Sequence, residues 1–389
     1  MPPQGLPVST DTSGSAVLPG FLTLPGAVAG EGADAGVAAH YGNPLREQRT
    51  LAEDDAIVDL SHRAVLSVTG SDRLSWLHSI TSQSLADLTP GVSTETLVLD
   101  PNGRIQHVAR AIDDGETTWL LLEREQASGL LTWLQSMKFM LKVDVADRSA
   151  QFATIGMMGE PVLPVVQTGV ELVWRDPWST VAVGGHQYAG ANPHPGTSWR
   201  WSEALVDRDQ LPALAEEVAS GAMKTAGLLA FEALRIAAWR PRFGAEVDAR
   251  SIPHELDWLR SAVHLNKGCY RGQETVAKVH NLGHPPRRLV MLHLDGSEGV
   301  LASPGDEVAL GDTVVGRVTS AGLHYELGPI ALAIVKRTTD PGAVLTVNSG
   351  GTVLAAAQEV IVPTDAGATA GVPRLPRLGR MTRTPSQSG

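Results

Sequence analysis

The sequence predicts an α+β region followed by a small antiparallel β-barrel. Two patterns carry that expectation. Between residues 64 and 145, short β-prone runs alternate with amphipathic helical stretches, and a hairpin lies among them. From Arg287 onward, short apolar runs are separated by glycine-containing turns, and Pro285-Pro286 marks the junction.

Taken in order, residues 1–37 are rich in Gly, Ala, Ser, Thr and Pro and read as a disordered segment. Residues 38–286 form the α+β region. A strand is expected over 64–68, then a helix with Leu74, Leu77 and Ile80 on one stripe. Asp100-Pro101-Asn102-Gly103 separates two β runs, 94–99 and 104–112, as a hairpin turn. After a strand at 118–122, Leu130, Trp133, Leu134 and Met137 recur at helical spacing. Residues 139–145, 152–155 and 181–183 read as strands, and Leu211, Leu214 and Val218 as a helix. A helix over 227–238 is stopped by Pro241. The barrel is expected over 287–365, with strands at 289–294, 313–321, 330–335, 344–347 and 353–357. Residues 366–389 read as a disordered tail carrying Arg374, Arg377, Arg380 and Arg383.

At 389 residues the chain is too long for one ordinary core, and 43% apolar content is enough for sizeable ones. A net charge of −11 argues against a surface that coats nucleic acid, though it leaves room for a local basic pocket. One cysteine excludes an internal disulfide and fits a reducing cytosol. No signal-peptide pattern opens the sequence and no run is long enough to span a bilayer, so a cytoplasmic protein without membrane contact is expected. No metal site is expected: His280 and His284 are four apart, but Gly283 and Pro285 break the helix that would align them. An iron–sulfur cluster takes four cysteine ligands, so Cys269 could only share one with a partner or a small thiol.

The stretch with most chemical content is Asn266-Lys267-Gly268-Cys269-Tyr270-Arg271-Gly272-Gln273-Glu274, which holds that cysteine. Were it extended, Lys267, Cys269 and Arg271 would share one face, and two cations would favour the thiolate. Gly268 and Gly272 allow close approach of backbone or ligand. Gln273 opens a short helix with Glu274 in its first turn, where a carboxylate suits the dipole. A second candidate feature is cationic: Arg235, Arg240, Arg242, Lys267 and Arg271 come from neighbouring segments and suggest an anionic ligand, with Trp239, Phe243 and Tyr270 offering flat surfaces.

Lys267-Gly268-Cys269-Tyr270-Arg271-Gly272-Gln273-Glu274 resembles the signature of the YgfZ family of folate-binding proteins, relatives of the glycine-cleavage aminomethyltransferase, or T-protein (GcvT). Weaker resemblance extends over roughly residues 38–360. It implies a GcvT-like ring of α+β subdomains around a central channel, closed by the C-terminal barrel. It further implies tetrahydrofolate or a one-carbon derivative in the channel, with Lys267, Cys269, Tyr270, Gly272, Gln273 and Glu274 at its mouth. Arg235 matches the arginine of the Leu-Arg helix in both branches. Two positions depart from T-protein. Gln106, His107 and Val108 replace an aspartate pair that serves catalysis, and Ala237 replaces a glutamate that reads the pterin. The resemblance thus implies a folate-binding protein that supports iron–sulfur cluster assembly or repair in client enzymes, tRNA-modifying ones among them. Cys269 would be the redox-active or ligand-forming thiol, and the partners would be iron–sulfur client or assembly proteins rather than nucleic acid. A folate-dependent one-carbon transferase and a ligand-free adaptor are the alternatives, so catalysis is left open.

Overall fold

The computed structural model describes residues 20–371. Two five-stranded sheets, a short two-stranded ribbon (Val28–Ala29 with Ala38–His40) and a closed barrel make up the described residues. The first sheet runs in the order Ser93–Leu99, Ile105–Asp113, Thr117–Leu122, Ala64–Thr69, Asp144–Asp147, antiparallel throughout. Helices Arg73–Ile80 and Arg124–Met137 cover it, burying Trp76, Leu77, Leu130 and Leu134 against Leu66, Val68, Leu120 and Leu122. The hairpin forms where the sequence places it: Asp100 Oδ1 accepts the amide hydrogens of Asn102 and Arg104, both at 2.8 Å, and Gly103 supplies a φ of +74°.

The second sheet orders Val173–Arg175, Trp201–Asp207, Phe152–Met158, Ile57–Asp59 and Thr225–Ala226, with only the last pair parallel. Helix Leu211–Ala219 closes its outer face over Ile57, Ile155 and Val206. The barrel is a six-stranded antiparallel closure, Arg287–Leu294, Gly328–Lys336, Thr313–His324, Glu307–Leu310, Leu345–Ser349 and Thr352–Val360. Within the barrel, Glu307–Leu310 is the strand without a sequence signal, because only Val308 and Leu310 are large apolar residues in it; Ile57–Asp59, Val173–Arg175, Trp201–Asp207 and Thr225–Ala226 of the second sheet were likewise not expected.

One hydrophobic core runs through all three units, from Leu97 and Val108 through Trp174, Trp199 and Trp201 to Leu289, Met291 and Leu332. Helix Leu228–Ala237 lies in it and carries Phe231, Leu234 and Ile236 into the junction. Four expectations are corrected. Residues 20–37 are held in place rather than loosely draped: Phe21 is fully buried, and Asp34 makes ion pairs with His62 and Arg242. Residues 139–143 are a turn, not a strand. Phe139 takes a φ of +39° and Lys142 donates its amide hydrogen to Asp72 at 2.8 Å, so only Asp144–Asp147 joins the sheet. Residues 181–183 lie in a loop whose amides bond to the 259–265 segment. At the other end, Ala366–Gly371 docks on the helix Gln273–Leu282, with Thr369 donating to the His280 carbonyl at 3.0 Å; the four tail arginines lie outside the described residues.

Candidate functional site

The cysteine motif is a chain of turns, not an extended run, and the turns point its side chains in opposite directions. Lys267 faces inward. Its Nζ donates to the carbonyl oxygens of His78, Thr81 (2.7 Å) and Gln83 (2.8 Å), at the end of the helix Arg73–Ile80, where a cation suits the dipole. The ammonium also lies 5.1 Å from the centre of the Tyr270 ring, and burial pushes its pKa down to about 8. Cys269 and Arg271 are exposed. The expected single face of Lys267, Cys269 and Arg271 is therefore absent: the lysine is a structural clasp, and the thiol stands at the surface.

The rest of the motif fixes the same junction. Gly272 has a φ of +83° and opens the helix Gln273–Leu282. A Cβ there would lie 2.5 Å from the Asp100 carbonyl and 3.1 Å from Gly103 Cα, so this glycine is required by its contact with the hairpin. Gln273 Nε2 donates to the Lys267 carbonyl at 3.1 Å, Glu274 is exposed in the first helical turn, and the buried Tyr270 hydroxyl has no partner.

The arginines expected to form a basic pocket are buried and neutralised. Arg235 meets Glu232 at 2.5 Å and Glu246 at 3.0 Å; Arg240 meets Glu95 at 2.6 Å and Asp176 at 2.9 Å. Arg242 meets Asp34 at 2.5 Å, Glu123 at 2.9 Å and Glu232 at 3.2 Å. A ligand carboxylate would have to displace these partners, and buried pairs are costly to break. Trp239, at a φ of +59°, directs its indole N–H to Met291 Sδ at 3.2 Å and lies edge-on to His194, which ties the helix end to the barrel. It presents no free face to a ligand.

The structure instead brings together residues that had no sequence signal. Trp199 and Trp201 stack at 5.6 Å, and Phe231 closes on Trp201 at 4.5 Å. With Arg110, Glu203 and the backbone turn at Pro241 they line a void of about 10 Å³, room for one water. Glu203 is 1% exposed. Its Oε1 accepts from Arg63 (2.5 Å) and from the Trp201 indole (2.9 Å), while Oε2 has no partner among the described residues. Burial would raise this carboxyl, but Arg110 and Arg63 hold it below the usual carboxylate range. Arg235 also lines this void, so the one arginine matched to the family lies where the aromatic walls meet. The Trp-Arg-Trp-Ser-Glu spacing is ordinary strand alternation, which is why the sequence alone did not mark it.

Residues 23–174 match the family described as the GCVT N-terminal domain, and residues 287–363 match the glycine cleavage T-protein C-terminal barrel domain. The chain is built on the two GcvT domains. Its curated relatives include an aminomethyltransferase of Symbiobacterium thermophilum, 27% identical over 311 residues, which covers 76% of this chain and 82% of the relative. A chloroplastic protein of Arabidopsis thaliana, described as a transferase, is 26% identical over 298 residues, 72% of this chain and 65% of that protein. Among solved structures, the glycine cleavage system aminomethyltransferase T of Bartonella henselae superposes with a TM-score of 0.68 at 18% identity, over 87% of this chain and 94% of that one. The expected GcvT-like α+β architecture with its closed barrel is thus the observed one.

Within this GcvT framework, the positions that depart from T-protein have clear surroundings. Gln106 is exposed, and His107 is half-buried against Gly129, with burial pushing its pKa down to about 4. Neither is a carboxylate. Ala237 packs against the shared core. Among the described residues, no three His, Cys, Asp or Glu side chains are placed to hold a metal ion, and no helix is long and apolar enough to cross a membrane.

Proposed function

We propose that this GcvT-type protein binds a reduced folate, with the pterin seated between Trp199, Trp201 and Phe231 and hydrogen-bonded to Glu203. The observation that carries this is the Glu203 Oε2, unpartnered among the described residues, in an aromatic-walled void lined from both five-stranded sheets and from the helix Leu228–Ala237. A pterin presents a flat ring and adjacent N–H donors, and a buried carboxylate between aromatic walls suits both. Glu203 would stand in for the glutamate that Ala237 replaces. The void is smaller than a pterin, so the walls must part for the ring to enter. Cys269, exposed on the cysteine motif, would serve iron–sulfur cluster assembly or repair in client proteins of the cytosol; an accessible thiol of this kind can form a mixed disulfide or share a cluster with a partner.

Anaerobic calorimetric titration with tetrahydrofolate tests the folate part. Saturable binding is expected, and Glu203→Gln should weaken it by about 10- to 100-fold, the range of a charge-assisted hydrogen bond. No heat up to millimolar folate, or equal affinity in the variant, overturns the assignment. The thiol part is tested by cluster transfer to a client apoprotein with wild type and Cys269→Ser; equal rates would sink it.

A second reading, folate-dependent aminomethyl transfer, draws support from relatives named aminomethyltransferases that align over about three quarters of the chain. It needs a proton-transferring group that Gln106 and His107 do not supply. Single-turnover formation of methylene-tetrahydrofolate from tetrahydrofolate and an aminomethyl thioether, with release of the thiol and ammonia, would favour it over the first reading.

A further inference from the structure

A larger cavity lies apart from the Glu203 void. It has a volume of about 420 Å³ and is lined by residues 179–181, 187, 189–194 and 197 together with Arg260. The two cavities share no lining residue. This one lies over the segment that leads into the cysteine motif: Ala182 donates to the Arg260 carbonyl at 2.8 Å, and His186 to that of Leu259 at 3.0 Å.

Two of its polar side chains are buried donors, Arg260 and His194. Arg260 is 1% exposed, yet no carboxylate among the described residues forms an ion pair with it. In this it differs from Arg63, Arg73, Arg235, Arg240 and Arg242, each of which meets an acid at 2.5–2.7 Å. Its Nε donates to the Trp178 carbonyl at 2.9 Å and its Nη1 to Gln187, and Nη2 has no hydrogen bond among the described residues. The guanidinium also lies 5.4 Å from the centre of the Trp178 ring. The nearby acid, Asp257, accepts the Tyr188 amide hydrogen at 2.6 Å, and burial pushes its carboxyl up to about 7, so it is a poor counter-charge. His194, which also lines the cleft, is 4% exposed. Its Nδ1 accepts the Gly196 amide hydrogen at 2.9 Å, which leaves the ring proton on Nε2, and that N–H has no partner among the described residues. Burial pushes the imidazole pKa down to about 4, so it is a neutral donor at ordinary pH. Val181, Ala189, Ala191 and Pro193 supply an apolar lining.

We propose that this cleft binds a small planar monocarboxylate, held by the Arg260 guanidinium and the His194 N–H, with its ring or chain against the apolar wall. A buried guanidinium without a counter-ion and a buried N–H without an acceptor are both satisfied by one carboxylate. A phosphate is a poorer fit, because a dianion would meet only one cation. The volume lies within the range of small-molecule sites.

The test is calorimetry on the full chain with benzoate, and with benzamide as the uncharged isostere. Benzoate should bind saturably, and benzamide about tenfold or more weakly, since it lacks the charge that Arg260 meets. Arg260→Gln should remove the difference, but Arg260 also bonds within the fold, so a second variant is needed. A Cβ at Gly190, an exposed lining residue, meets nothing within 4 Å, so Gly190→Trp fills the cleft from outside without touching Arg260. It should abolish benzoate binding while leaving the thermal midpoint and tetrahydrofolate titration unchanged. Absence of saturable benzoate binding, equal affinity for benzamide, or binding that survives Gly190→Trp would each overturn the proposal. The folate result separates this failure from failure of the folate reading.

Discussion

Lys267 Nζ reaches the Thr81 carbonyl at 2.7 Å across 186 residues of sequence. With the carbonyls of His78 and Gln83 it closes one end of the helix Arg73–Ile80 from the cysteine motif. Lys267→Met keeps the apolar stem and removes the donors, leaving three carbonyls without the cation. A loss of about 1.5–3 kcal/mol is expected, the range for hydrogen bonds to a charged group. Urea denaturation measures it, and an unchanged midpoint would show that the clasp is not needed for stability.

The two motif glycines should behave differently. Gly272→Ala places a Cβ 2.5 Å from the Asp100 carbonyl at a φ of +83°. Strain of about 1–3 kcal/mol is expected, and more if the hairpin must shift. A Cβ at Gly268 meets nothing within 4 Å, so Gly268→Ala should be tolerated. Thermal melts of the pair give the comparison; equal effects would contradict the packing described.

Asp257 gives the pH dependence its sign. It sits at a φ of +55°, accepts the Tyr188 amide hydrogen, and has no partner at Oδ2 among the described residues. Burial pushes its carboxyl from 3.8 up to about 7. The folded state therefore holds a proton that the unfolded chain has released. The contribution is fully present below pH 3.8 and is lost as pH rises through about 7. Asp257→Asn removes the titration. Between pH 5 and 8 the variant should gain roughly 3 kcal/mol relative to wild type, at 1.36 kcal/mol per unit. Parallel stability–pH slopes would refute a buried neutral acid.

Cys269 is exposed and is the chain's one thiol. A disulfide reagent should label one equivalent of native protein without denaturant, and Cys269→Ser should shift stability by less than about 0.5 kcal/mol. Labelling that requires unfolding would place the thiol inside and remove its surface role.

What the sequence made legible was local. The hairpin at Asp100–Gly103, the helix opening at Gln273 and most barrel strands follow from turn chemistry and residue period, which act over a few positions. The site was not local. Arg240 pairs with Glu95 across 145 residues and Arg242 with Glu123 across 119, and no spacing rule identifies such partners. The arginines therefore looked like a ligand's counter-charges when they are the protein's own. Phe139 misled for a different reason: the run Phe139-Met140-Leu141 has strand composition, but its tip is solvent-exposed and turned back at Phe139.

The shared core has a consequence for how this chain can be divided. Its sequence reads as modules, yet Trp239 hands its N–H to Met291 of the barrel, Arg235 donates to Ser320 at 2.6 Å, and Gln48 bonds to the Leu323 carbonyl at 2.8 Å. Removing the barrel would strip the cover that Gly322 gives Ala233 and Ile236 and leave Glu246 without its hydroxyl donors, Thr319 and Ser320. The boundaries by which the chain is recognised are therefore not the seams at which it would come apart: neither part is a self-sufficient folding unit, and the whole should melt in one cooperative step.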